Sequence, residues 1–230
     1  MAPDGPRVPF KLYLITDRKL AHTHGGLPAV IDAALAAASA TAAGARALAV
    51  QLREKDLDAR ELYELACALR ARCSRHGVPL LVNDRADVAI AAGCDGVHLA
   101  GNSFSVEDAR RLLGPDRLIG VSTHAPSEVA AAAASGADFA VFGPVFDPLS
   151  KAPYGPARGA DYLGAACRVA GAMPVFALGG ITAKRVSELG GTAALKDWGR
   201  PAGVAVIGAV MGADDPGAAT RALLSALARW

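Results

Sequence analysis

The stretch Gln51-Leu52-Arg53-Glu54-Lys55 closes an apolar run, and strand alternation sends Gln51, Arg53 and Lys55 to one side. Two cations aimed into one concavity require an anion there, from a substrate or from protein carboxylates. Asn83 and Asp84 close a second apolar run and Asp17 a third, so an internal ion-pair network stands as the alternative to a bound anion. Lys151, in the long loop after Phe142, is a further anion contact, although a loop lysine is ordinarily solvated.

Two glycine turns late in the chain carry a different chemistry. Ala177-Leu178-Gly179-Gly180-Ile181-Thr182 leads into a helix, and Val206-Ile207-Gly208-Ala209 follows another apolar run. Glycine lets backbone N–H groups approach an anion closely, and a helix N-terminus favours negative charge, so both turns read as phosphate sites. The plainer reading is glycine kept for tight turning. His124, in Gly120-Val121-Ser122-Thr123-His124, lies just past a strand end, and histidine is the residue type most often used for acid/base work. A helix-capping or supporting histidine is the alternative. Ser122, two residues earlier, faces the same end. His98 ends an apolar strand, where packing or hydrogen bonding is expected, and His22 with His24 lacks the further ligands a metal needs.

These residues need elements to hold them. Apolar runs predict strands over Lys11–Thr16, Leu48–Arg53, Leu80–Asn83, Gly96–Leu99, Leu118–Val121, Phe139–Phe142, Val175–Leu178 and Val204–Ile207. Helical patterns lie between them, among them Ala59–Ser74, Ser105–Leu113, Pro126–Ala134 and Thr182–Leu189. Such alternation fits a (β/α)8 barrel or a doubly wound open sheet. Polar or glycine residues follow the C-terminal end of every strand, and a closed barrel is what converges all of those ends on one mouth. The expected fold class is α/β, a single (β/α)8 TIM barrel over residues 1–230, with residues 1–10 a flexible N-terminal segment.

Composition supports that class. The 230 residues are 52% hydrophobic, enough for a sizeable core, and a formal net charge of +2 gives no field for nucleic acid or an acidic membrane surface. The Ala-rich stretch from Val30 to Ala49 contains Asp32, Gly44 and Arg46 and reads as a soluble helix followed by a strand, not a membrane span. MAPDGPRVPF lacks a basic region followed by an apolar run, so no signal peptide is expected. Cys67, Cys73, Cys94 and Cys167 form no C-x-x-C pair and read as apolar thiols in a reducing cytoplasm.

Seven segments in order resemble thiamin phosphate synthase and its TenI relatives: Leu12–Asp17, Val50–Lys55, Leu81–Arg85, Gly96–Leu99, Gly120–His124, Gly143–Phe146 and Gly179–Thr182. The synthase joins hydroxymethylpyrimidine diphosphate to a thiazole phosphate and releases diphosphate, with Mg2+ on the diphosphate. The resemblance implies that Gln51, Arg53, Lys55 and Asn83 hold the pyrimidine and diphosphate, with Ser122 among the substrate contacts and Lys151 on the diphosphate. Asp84 would be one Mg2+ ligand, and Gly179, Gly180, Ile207 and Gly208 would hold the thiazole phosphate.

Departures from the family shift the expected activity. A synthase usually reads Gly-Gln-Glu-Asp after the His98-Leu99 pair, with that Asp as second metal ligand; here Ser103 stands in its place. The loop Pro-Thr-x-Thr-Lys becomes Asp147-Pro148-Leu149-Ser150-Lys151, while Ser103–Val106 and Pro156–Gly159 look like the TenI branch, which includes thiazole tautomerases. The expectation is therefore a TenI-type thiazole tautomerase, with His124 as acid/base and no cofactor. The alternative is the Mg2+-dependent synthase, and a further one is a non-catalytic regulator that binds a phosphate ligand. Partners are expected to be small molecules, with a homo-oligomer compatible with the sequence, no nucleic acid, no membrane, and a cytoplasmic location. The long segment Gly190–Gly203 enters at the bottom of the barrel and reads as a surface or subunit contact.

Overall fold

Leu, Val, Ile and Phe on both faces of each short strand require cover on both sides, and the chain provides it with one layer of helices outside and side chains inside. The computed structural model describes residues 7–22, 25–147, 157–192, 195 and 199–230. Its strands are β1 Leu12–Ile15, β2 Leu48–Leu52, β3 Leu80–Asn83, β4 Gly96–Leu99, β5 Leu118–Thr123, β6 Phe139–Phe142, β7 Val175–Ala177 and β8 Gly203–Val206. All pair in parallel, in sequence order, and β8 closes on β1. The fold is a (β/α)8 TIM barrel. β5 runs two residues beyond its expected end because Ser122 and Thr123 stay in register with Val141 and Phe142.

The helices are α1 Arg18–Ala21, α2 Leu27–Ser39, α3 Ala59–Arg75, α4 Ala86–Ala91, α5 Val106–Leu113, α6 Pro126–Ala134, α7 Gly159–Val169, α8 Ala183–Gly191, α9 Gly208–Met211 and α10 Pro216–Leu227. Their starts are written locally. Asp58 and Glu61 form a reciprocal capping box on α3, Ser105 caps α5 and Thr182 caps α8. The Ala-rich stretch is α2, one 3-10 turn and then β2, and no helix among the described residues is long and apolar enough to cross a membrane.

Strand alternation splits the apolar side chains into two cores. Leu12, Leu14, Val50, Leu80, Val82, Val97 and Phe142 pack outward against the helices, whereas Tyr13, Ile15, Ala49, Leu81, Phe139, Val141, Phe176 and Ala205 fill the barrel. Gly120 leaves room there, since a Cβ would overlap the Phe139 ring. The bottom is closed by Phe10, only 2% exposed, whose ring lies 5.1 Å from Phe176 and edge-on to Phe139 at 5.4 Å. Arg7 bonds the carbonyls of Pro115 and Arg117 and pairs with Asp138 at 2.5 Å. Residues 7–10 are thus packed, which corrects the expected flexible segment for that part. The physical reason is an aromatic side chain that fills the open barrel floor.

Leu195, within the segment expected to be surface, is buried in the outer core. Burial pushes the thiols of Cys73, Cys94 and Cys167 up to about 12, so they stay protonated.

Candidate active site at the C-terminal rim

Gln51 points into the barrel near its upper rim and is 1% exposed. Its Nε2 donates to Asn83 Oδ1 at 3.1 Å, and Asn83 Nδ2 donates to Asp84 Oδ2 at 2.8 Å. Asp84 Oδ1 accepts from the backbone N–H of Ala100 at 3.3 Å and from the Ser103 hydroxyl. Asp84 adopts a φ of +58°, the left-handed region that Asp tolerates better than most side chains. This chain of donors leaves Gln51 Oε1 buried without a partner among the described residues. An unpaired buried acceptor costs about 1–3 kcal/mol, which a donor on a bound ligand would recover.

Arg53 follows β2 and is half-buried. Its backbone N–H is held by the Thr16 hydroxyl at 2.9 Å, and its charge reaches His98 inside the barrel. Among the described residues its guanidinium has neither hydrogen bond nor ion pair, so the internal ion-pair network is not formed there. Asp17 instead caps α1, and the partners of Asp84 are neutral donors. A half-buried, unpaired guanidinium at a barrel mouth is a site for an anion.

Lys55 departs from expectation. It is exposed in the turn, because β2 ends at Leu52 and strand alternation no longer governs a residue three positions later. Glu54, between the two cations, was not singled out by its sequence and is buried. It accepts from the Thr16 hydroxyl at 2.7 Å and from the Arg18 backbone at 3.1 Å, so it fixes the loops after β1 and β2 together. Its only signal in the sequence is an acid set between two bases just past a strand.

A second polar chain rises through the barrel. Tyr13 Oη lies 3.4 Å from His98 Nδ1, and His98 Nε2 lies 2.9 Å from Ser122 Oγ. Burial pushes the His98 imidazole down to about 3, so it is neutral, and raises the Tyr13 phenol, so it keeps its proton. With no other acceptor for that buried hydroxyl among the described residues, Tyr13 donates to Nδ1 and the His98 N–H sits on Nε2. Ser122 therefore accepts from His98, and its own hydrogen is free to be donated into the mouth.

His124 lies exposed beside this group rather than at its centre. Its Nδ1 donates to the Gly143 carbonyl at 2.6 Å and its backbone N–H to Glu128 at 2.6 Å. The ring is thus oriented with Nε2 as the nitrogen that has no partner among the described residues.

At the opposite side of the rim, Gly179 and Gly180 have φ of +102° and +59°. A Cβ on Gly179 would lie 2.7 Å from the Pro144 backbone, so glycine is required there by both conformation and space. Gly208 opens α9 with no side-chain cap, and Ile207 precedes it. Neither turn commits the N–H groups of Gly179, Gly180 or Gly208 to an acceptor among the described residues. Lys151 lies outside the described residues.

For Mg2+ the structure offers the Asp84 carboxylate and the Ser103 hydroxyl, and no cluster of three or more His, Cys, Asp or Glu exists among the described residues. Mg2+ is commonly held by one or two carboxylates plus substrate phosphates, so these donors fit the ion together with a diphosphate.

Residues 12–210 match the family model described as thiamine monophosphate synthase. The chain belongs to that family. A Geobacter sulfurreducens protein whose name assigns it provisionally to thiamine-phosphate synthase is 49% identical over 223 residues, 96% of either chain. A thiamine-phosphate synthase of Methanoculleus marisnigri is 41% identical over 221 residues, 95% of this chain and 96% of that one. The thiamine phosphate pyrophosphorylase structure from Pyrococcus furiosus superposes with a TM-score of 0.78 at 32% identity, covering 97% and 98% of the two chains. More distant barrels, such as the 3-hexulose-6-phosphate synthase of Salmonella typhimurium at 18% identity and a TM-score of 0.62, share the fold alone. These names favour the synthase alternative over the tautomerase that the Ser103 replacement suggested, and so correct the order of the two expectations.

Proposed function

We propose that this protein is a cytoplasmic thiamine-phosphate synthase, a transferase that joins hydroxymethylpyrimidine diphosphate to a thiazole phosphate and releases diphosphate. The observation that carries this reading is the half-buried Arg53 guanidinium, unpaired among the described residues and two positions along the chain from the orphaned acceptor of Gln51, within a chain whose relatives bear that name. Gln51 accepts a hydrogen bond from the amino group of the pyrimidine, and Asn83 keeps its amide turned for that purpose. Arg53 takes the charge of the departing diphosphate, with Lys55 and Lys151 as further cations. Ser122, held by His98, donates its hydroxyl to the bound substrates. Gly179, Gly180, Ile207 and Gly208 take the thiazole phosphate on backbone N–H groups.

Asp84 and the Ser103 hydroxyl are the groups that would hold Mg2+, which when bound neutralises charge on the leaving diphosphate. Little covalent help is needed from the protein, because positioning and charge stabilisation drive loss of a diphosphate. His124 orients the exit of β6 through Gly143.

The test is chromatographic detection of thiamin phosphate from both substrates with Mg2+. Turnover at enzymatic rates supports the reading. Tight thiazole phosphate binding without coupling would overturn it in favour of the tautomerase or the non-catalytic binder.

A further inference from the structure

Arg185 lies in the first turn of α8, where its backbone N–H donates to the Thr182 hydroxyl at 3.3 Å. Its side chain folds back over the preceding glycine turn. Nη1 donates to the Gly180 carbonyl at 2.5 Å and, more weakly, to that of Asp147 at 3.4 Å. The guanidinium carbon sits 4.8 Å from the centroid of the Phe146 ring, a cation–π distance. Gly180 admits this arrangement, since a Cβ there would overlap Nη1.

Peptide planarity turns these bonds into a statement about the turn's donors. In a trans peptide the C=O and the following N–H point to opposite sides. The Gly179 carbonyl is taken by the Phe146 N–H at 3.2 Å and the Gly180 carbonyl by Arg185, both from the side of the loop after β6. The N–H groups of Gly180 and Ile181 therefore face away from that loop, and neither has an acceptor among the described residues. Successive N–H groups turned to one side ahead of a helix N-terminus make a concavity for anionic oxygens.

We propose that Arg185 is a positioning residue for the phosphate subsite: it locks the Gly180–Ile181 peptide so that its N–H is presented to the phosphate. This rests on the reading above, in which that corner holds the thiazole phosphate. A merely structural Arg185, tying the loop after β6 to α8, would affect stability and both substrates alike.

The experiment is calorimetry of thiazole phosphate and of inorganic phosphate on the full chain, for wild type, Arg185→Ala and Arg185→Lys, with steady-state kinetics and thermal midpoints alongside. Loss of a hydrogen bond to a charged guanidinium should weaken thiazole phosphate in Arg185→Ala by about tenfold. Its KM should rise to match, while kcat and the KM for the pyrimidine diphosphate stay near wild type. Arg185→Lys, which keeps the charge but loses the planar stack on Phe146, should recover part of the affinity and carries the comparison if the alanine variant does not fold. Unchanged thiazole phosphate affinity, or equal losses for both substrates, overturns the proposal. If wild type binds inorganic phosphate but not thiazole phosphate, and Arg185→Ala loses the phosphate, the role of Arg185 stands and the substrate assignment falls. If wild type binds neither, both fall.

Discussion

His98→Gln should flatten the pH dependence of stability on the acid side. The wild-type imidazole is fully buried between Tyr13 and Ser122, and burial lowers its pKa from 6.5 to about 3. Across the window from about 6.5 down to about 3, the unfolded chain binds one proton more than the native one. Stability contributed by the neutral ring is therefore complete above the unfolded value and is lost as pH falls, at about 1.4 kcal/mol per pH unit. At pH 5 the loss attributable to His98 is about 2 kcal/mol relative to neutral pH. Glutamine does not titrate, and its amide can still donate to Ser122. Urea unfolding of both proteins at several values between pH 7 and 4.5 gives the difference in slope, and all shared titrating groups cancel in it. Parallel curves would refute the reasoning, because they would mean that the native state accepts the proton at His98 as readily as the unfolded chain.

Three other perturbations follow from the same structure. Arg53→Met should raise the KM for the pyrimidine diphosphate by about tenfold or more, since a charge-assisted contact is lost, yet leave the thermal midpoint unchanged or higher because no internal ion pair is broken; steady-state kinetics and a melt check both. Phe10→Ala should open the floor of the barrel and cost about 3–5 kcal/mol in chemical denaturation, an effect that a flexible N-terminal segment would not produce. Gly120→Ala should cost about 1–3 kcal/mol through overpacking, because its methyl group would overlap Phe139 and stand 2.7 Å from His98 Nδ1; a denaturation midpoint equal to wild type would show that Phe139 moves aside freely.

The sequence by itself determined the barrel and the ring of strand ends. Apolar runs such as Leu80–Asn83, Gly96–Leu99 and Phe139–Phe142 coincide with β3, β4 and β6, because alternation and the polar or glycine residue that ends each run are local properties. The rim positions of Gln51, Arg53, Asn83, Asp84, Ser122 and the glycine turns were legible for the same reason: each stands in the last residues of an apolar run or just after it, where a barrel strand opens on the mouth. Only the tertiary structure decided their pairing. Tyr13 and His98 lie 85 residues apart and meet because their strands both point side chains into the barrel. Ser103 meets Asp84 from the loop after a different strand, and Arg185 reaches the Phe146 ring and the Asp147 carbonyl from a helix 38 residues further along the chain. Lys55 is exposed in the turn rather than turned inward beside Arg53, because the ladder between β2 and β3 stops at Leu52, a limit set by neighbouring strands rather than by the run itself. Local patterns specify where a side chain leaves the backbone; which buried donor finds which acceptor depends on the closure of the sheet, since only closure brings distant strand ends within hydrogen-bond reach.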